Sequence, residues 1–251
     1  MKKAISNLDV TRLFKPDTHH LGSMFAGLSG SGKTTAVITT LQLAIRDKRF
    51  GKFHRFVIID PKAQSGDYDI LAEPIFDLSK MMDSIRKERV SLFWPDSIED
   101  LEDDVSDIVN NLFELSDSEP KTSFTFVLDE AATLITATRV PASLKRLSVQ
   151  GRSKRIMPIF VTQRPLLNRW TDANLSNMML FRILPVDADN LSKRWGLDFE
   201  QMDAKIRERP FSFMWFDLEL AEVKPMAPVP LPKIPKAKPK KKIWKSLFDS
   251  F

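Results

Sequence analysis

SMFAGLSGSGKTTAVITTLQLAIRDKR, residues 23–49, passes from a short apolar run through a glycine-rich turn into a long amphipathic stretch. Its centre, Gly27 to Thr34, matches G-x-x-x-x-G-K-[ST] without a mismatch, in the strand-to-helix setting that the motif requires. Glycines at Gly27, Gly30 and Gly32 let the backbone curl so that several N–H groups face one phosphate, and the helix N-terminus adds its partial positive charge. Ser29, Ser31 and Thr35 complete the loop. Lys33 is placed to reach the β- and γ-phosphates and the Thr34 hydroxyl to ligate Mg²⁺.

Outward from this loop, apolar runs alternate with amphipathic ones. RFVIID, VSLFW, SFTFVLD and IMPIFVT read as buried strands, NMMLFRI and FSFMWF add two more, and LSKMMDSIRKE reads as a helix. In 97–115, Ile98, Leu101, Val105, Ile108 and Leu112 recur at spacings of 3, 4, 3 and 4, which predicts a helix. The ten acids of 96–119 then form its solvated side, with no metal-ligand spacing. Strands alternating with helices predict an α/β protein with a mainly parallel central sheet flanked by helices.

An acid pair at the end of a central strand completes a phosphate site. FTFVLDEA supplies Asp129, to hold Mg²⁺ through water, and Glu130, to polarise the attacking water; water activation marks a hydrolase rather than a kinase. Asp60-Pro61-Lys62 ends the second strand, and Gln163 ends the strand after the acidic one. In a parallel sheet these ends share one rim, so Gln163 is expected to sense a γ-phosphate.

Composition sets limits. The chain has no cysteine and three scattered histidines, which excludes disulfides and makes a histidine metal cluster a poor expectation. No run of 18 apolar residues appears, and MKKAISNLDV lacks an apolar core, so a soluble, non-secreted protein is expected. The net charge of +5 is misleading. Residues 222–251 hold eight lysines against two acids, a surplus of six, which leaves the rest of the chain about neutral. Any DNA site in the body must be a local patch. Ala131 to Gln163 offers one, with Arg139, Lys145, Arg146, Arg152, Lys154 and Arg155 and no acid, although a solvated helix face accounts for the same pattern.

Four parts are expected: an arm over 1–22, a P-loop domain over 23–224, a Lys/Pro-rich linker over 225–242 and a short amphipathic segment over 243–251. KPMAPVPLPKIPKAKPKKK, with six prolines, reads as extended chain without a packed core. Ile243, Trp244, Leu247, Phe248 and Phe251 give the last segment one apolar face, suited to docking on another chain, to packing on its own body, or to a lipid surface.

GLSGSGKTT, IIDPK, FVLDEA and IFVTQRP, in that order over about residues 24–217, resemble the FtsK/HerA superfamily of P-loop motor ATPases. The resemblance implies a RecA-like core, ATP and Mg²⁺ as cofactors, a ring oligomer (usually a hexamer) and double-stranded DNA threaded through it. It also implies an arginine supplied to each site by the next subunit. Arg152 lies at that position, with Arg155 the near alternative. No large preceding domain and no winged-helix DNA reader are expected. Among family members the chain is therefore most similar to the small genome-packaging ATPases of membrane-containing icosahedral viruses and their archaeal relatives. That implies a place in the cytoplasm of an infected cell or in the virion, and a capsid or membrane protein as the tail's partner. A DNA-export or phage-assembly motor, or a replication initiator or helicase-loader ATPase, are the alternatives.

Overall fold

The computed structural model describes residues 22–63, 67–165, 168–196, 198–218 and 222–232. The expected N-terminal arm (to residue 21), most of the Lys/Pro linker and the segment 243–251 lie outside them.

Nine strands form one sheet in the order β3-β4-β2-β5-β6-β1-β7-β8-β9. They are β1 (Gly22–Ala26), β2 (His54–Ile59), β3 (Pro74–Ile75), β4 (Val90–Phe93), β5 (Ser123–Leu128), β6 (Ile156–Thr162), β7 (Leu175–Leu180), β8 (Phe213–Asp217) and β9 (Glu222–Met226). The first seven in chain order run parallel, and β8 and β9 are antiparallel to their neighbours. The mainly parallel sheet flanked by helices is the architecture expected.

Alternation sorts each strand between two apolar layers. Val57 and Ile59 of β2 and Phe124, Phe126 and Leu128 of β5 face one layer, built with α2 (Leu78–Lys87), α3 (Leu101–Ser118), α4 (Ala142–Gln150), α6 (Pro185–Trp195) and α7 (Phe199–Arg207). Phe56, Ile58 and Val127 face the other, where α1 (Lys33–Arg46) contributes Ala36, Val37, Leu41 and Ala44. The short α5 (Arg169–Asp172) precedes β7. Each fully buried Leu, Ile, Val or Phe contributes about 1.5–3 kcal/mol, so two-sided burial rather than local propensity holds these strands.

Two differences from the sequence reading have physical causes. Helix α3 starts at Leu101, and Ile98 is 66% exposed, so the apolar period was continued one turn too far. Strand β9 extends past the boundary expected at 224. Met226 is buried opposite Phe213, and Thr39 Oγ1 donates to the Pro230 carbonyl at 2.8 Å, so 225–230 lie against the body rather than standing off as a linker. Pro225 is tolerated because β9 is an edge strand. Pro158 sits inside central β6, where β1 pairs only from Ile159 onward, so the missing N–H falls where the strand has one partner. No described helix is long and apolar enough to cross a membrane.

Candidate active site

The turn after β1 is made by glycine. Gly27 has φ 151°, and a Cβ there would lie 2.7 Å from Phe181 Cβ, so no other residue fits between β1 and β7. Leu28 N–H donates to the Arg182 carbonyl at 2.8 Å, and Gly32, at φ 97°, starts α1 in the left-handed region. The loop encloses a cavity of about 310 Å³. Ser29, Gly30, Gly32, Lys33, Thr34 and Thr35 line one side, and Lys62, Asp67, Gln163 and Phe211 the other. Gly27 and Ser31 shape the loop without lining that cavity.

Lys33 is 6% exposed and donates to the Leu28 carbonyl at 2.9 Å. Burial, then the charge of Lys62, lowers its pKa, while Glu130 and Asp129 pull the other way. Such an ammonium gains from a phosphate that would restore its lost solvation.

Asp129 ends β5 beside the end of β2 and is 1% exposed. Burial raises its pKa, against the pull of Lys62 and of the Glu130 N–H, which donates to Asp129 Oδ1 at 2.7 Å. Glu130 is held at φ 49°, ψ 43°, a left-handed turn that aims it away from the strand axis. Lys62 Nζ stands 2.5 Å from Glu130 Oε2 and 3.8 Å from Asp129 Oδ1, so the tip of β2 reaches the acid pair. Asp60 Oδ1 accepts from Lys62 N–H at 3.1 Å, which fixes that tip.

Tyr68, the chain's sole tyrosine, was not singled out from the sequence. It is fully buried, and burial together with the carboxylates of Asp129 and Asp60 pushes the phenol well above its ordinary range. It is therefore a neutral O–H against the acid cluster. Neither it, Asp67 nor Phe211 carries a signal readable along the chain, since each meets the loop only through tertiary packing.

These residues suit a divalent cation of the magnesium kind. Among the described residues no three His, Cys, Asp or Glu cluster as an all-protein cage. Mg²⁺ is ordinarily held by one or two carboxylates together with phosphate and water, and the cation now standing against Asp129 and Glu130 is the Lys62 ammonium.

Gln163 and Arg152 occupy opposite ends of β6. Gln163 is exposed on the cavity rim. Arg152 is exposed in the 3-10 turn Gly151–Lys154 that leads into the strand. Seven residues of β6 separate the two ends, roughly 23 Å at about 3.3 Å per residue. Arg155 points inward instead. Its guanidinium donates to the carbonyls of Thr122 (3.0 Å) and Ser116 and to Ser116 Oγ (3.1 Å), from a left-handed backbone at φ 57°.

The remaining basic candidates lie against their own chain. Arg139 pairs with Glu102 at 2.5 Å and Lys154 with Asp117, both acids belonging to α3. Lys145 lies 4.0 Å over the Trp170 ring and Arg146 3.9 Å over Phe113. Arg164 Nη2 donates to Asp187 Oδ1 at 2.6 Å, which ties the tip of β6 to α6.

No protein-family model matches the sequence, and no curated protein matches it. Solved structures do match. The genome packaging NTPase B204 of Sulfolobus turreted icosahedral virus 2, in complex with AMP, has a TM-score of 0.64 at 16% identity, over 86% of this chain and 99% of that one. VirB4 of Thermoanaerobacter pseudethanolicus has a TM-score of 0.62 at 10% identity, over 84% and 90%. The cytoplasmic domain of the Thermomonospora curvata type VII secretion ATPase EccC has a TM-score of 0.56 at 19% identity, over 83% of this chain and 25% of that one. The chain shares its fold with these proteins, and its four motifs resemble those of the FtsK/HerA type.

Proposed function

We propose that this chain is an Mg²⁺-dependent ATPase that moves double-stranded DNA as a ring of identical subunits, six by family likeness, and serves as a viral genome-packaging motor. The observation that carries the reading is convergence. The loop of Lys33, Lys62 and Gln163 line one cavity, and Lys62 is paired with Glu130, while Arg152 stands at the far end of β6. At that distance Arg152 serves no nucleotide of its own subunit, and its exposed place before β6 suits contact with a neighbour's.

Lys33 and the loop N–H groups hold the phosphates, and Gln163 contacts the terminal one. Thr34 and Asp129 are the residues that would hold Mg²⁺, which when bound supplies charge neutralisation at the phosphates. Glu130 orients the attacking water and accepts its proton. For Glu130 to act, the Lys62 ammonium must leave it, and a γ-phosphate in the same cavity offers that cation another anion. Arg155 serves the packing of its own subunit, and the finger role falls to Arg152. Arg139, Lys145, Arg146 and Lys154 would contact DNA only after releasing their present partners. The segment 243–251 lies outside the described residues; by family likeness its apolar residues would serve to dock the motor on a capsid or membrane protein, in the host cytoplasm or virion.

Mixed assemblies test the reading. Lys33→Ala and Arg152→Ala chains are each expected to lose about 10³-fold or more in ATPase rate, since such a finger is worth about 10³–10⁵. Mixing the two should restore part of the DNA-stimulated rate, because some interfaces pair an intact loop with an intact arginine. No recovery, with turnover by a monomer indifferent to DNA, refutes the ring motor.

A further inference from the structure

Strand β6 leaves the sheet just before the residue that lines the phosphate cavity. Its pairing with β5 ends at Phe160 and its pairing with β1 at Thr162, so Gln163 and Arg164 lie in a bend past the last ladder pair. A side chain that is to meet one phosphate oxygen must be held to within about 0.5 Å, and the ladder stops short of doing so.

Arg164 supplies the hold. Its N–H donates to Thr162 Oγ1 at 3.2 Å, across the bend. Its guanidinium donates to Asp187 Oδ1 through Nε at 3.1 Å and through Nη2 at 2.6 Å. Asp187 is buried in the first turn of α6, and its own N–H donates to the Leu184 carbonyl at 3.0 Å. At the other end of this short segment, the Arg182 carbonyl accepts the N–H of Leu28 from the phosphate loop. Residues 182–187 therefore join the phosphate loop to the tip of β6.

Two observations set this contact apart from an ordinary surface ion pair. The Arg164 side chain is 57% exposed but its Asp187 partner only 3%, so the guanidinium rests on a fixed anchor and not on a second mobile chain. Arg164 also does not line the phosphate cavity, whereas Gln163 beside it does. Whatever Arg164 does for the nucleotide, it does through its neighbour.

We propose that Arg164 is the positioning residue of the terminal-phosphate contact: anchored on Asp187, it fixes the bend so that Gln163 stands at a set distance from the phosphate loop. The proposal rests on the reading of Gln163 given above. Its consequence is selective, since Arg164 then matters only to a nucleotide that carries a third phosphate. Lysine would be a poor substitute, because its ammonium has no fork to hold one oxygen through two donors.

Titration calorimetry of the full chain with Mg²⁺ and either ADP or ATPγS, which differ in the terminal group, tests this. Gln163→Ala is expected to weaken ATPγS about 10- to 150-fold, the usual effect of losing one hydrogen bond to a charged group, and to leave ADP within about twofold. Arg164→Met should weaken ATPγS at least about fivefold, with ADP again within about twofold. Arg164→Met/Asp187→Asn leaves no unpaired buried charge, so its fold should hold, and it should show the same selective loss. Gln163→Ala/Arg164→Met should bind ATPγS as weakly as Gln163→Ala alone, because a residue that acts through another adds nothing once that other is gone. Equal weakening of ADP and ATPγS in both Arg164 variants would make the pair a general structural part and overturns the positioning role. A further loss in Gln163→Ala/Arg164→Met would mean a direct contact with phosphate and overturns it too. Unchanged ATPγS binding in the Arg164 variants, with Gln163→Ala impaired, overturns the positioning role alone. Unchanged ATPγS binding in Gln163→Ala removes the sensor reading and the proposal with it.

Discussion

Replacing Asp129 by asparagine should stabilise the protein while disabling it. The carboxylate is 1% exposed at the end of β5, and burial raises its pKa. Taking a carboxylate out of water costs several kcal/mol. Lys62, 3.8 Å away, returns about 4 kcal/mol at an effective dielectric of about 20, less a discount because that ammonium is 37% exposed. Asparagine keeps the acceptor for the Glu130 N–H and removes the charge, so the gain is about 1–2 kcal/mol, or about 2–8 °C in melting temperature for a chain of this size. The sign follows from linkage. With the folded pKa above the unfolded value of about 3.9, the acid is protonated in both states at low pH and carries no penalty there. As pH rises, the unfolded chain loses its proton first and the folded state falls behind, until the penalty levels off above the folded pKa. Melting curves of both chains without nucleotide or Mg²⁺ should therefore coincide near pH 3–4 and separate toward pH 8, with the asparagine chain higher. ATP hydrolysis by that chain should fall at least about 100-fold. An asparagine chain that melts at or below the native one at pH 8, or a gap that widens toward acid, refutes the reasoning.

Arg155→Ala removes the donor to two carbonyls while leaving the φ 57° backbone penalty unchanged, at a cost of about 2–4 kcal/mol. Differential scanning calorimetry should show the loss, whereas the ATPase rate per folded chain should stay within about threefold; a normal melt with a dead enzyme would make Arg155 the finger. A chain ended after Lys224 should melt about 4–12 °C below one ended after Pro232, because it lacks Met226, Val229 and the bond from Thr39 to Pro230. Equal melting of the two would show that the stretch adds nothing.

The glycine-rich turn before α1 was legible because its motif demands residue types at fixed spacings, and the strands around it because two-sided burial leaves continuous apolar runs. What escaped depended on partners distant in the chain. Strand β9 reads as linker, since lysine and proline suit an edge, and its pairing is set by Phe213 and Trp215 of β8 rather than by its own propensity. Strand β3 has two residues and no pattern to show. Arg152 and Arg155 sit three apart in one turn, yet one faces solvent and the other the Ser116 and Thr122 carbonyls. Nothing in their spacing separates them. Phe211 is one aromatic among eighteen phenylalanines until its backbone angle is known.

Strand β6 is buried along its whole length and bonded to β5 on one side and β1 on the other, so it has almost no compliance along its axis. Held in this way, the strand would carry a displacement imposed at Gln163 toward the turn holding Arg152. In the proposed ring the two ends belong to different hydrolysis sites, and the strand then works as a tie-rod between them. Timing around the ring would be set by the stiffness of the sheet, and no flexible relay would be needed to tell one subunit that its neighbour has fired.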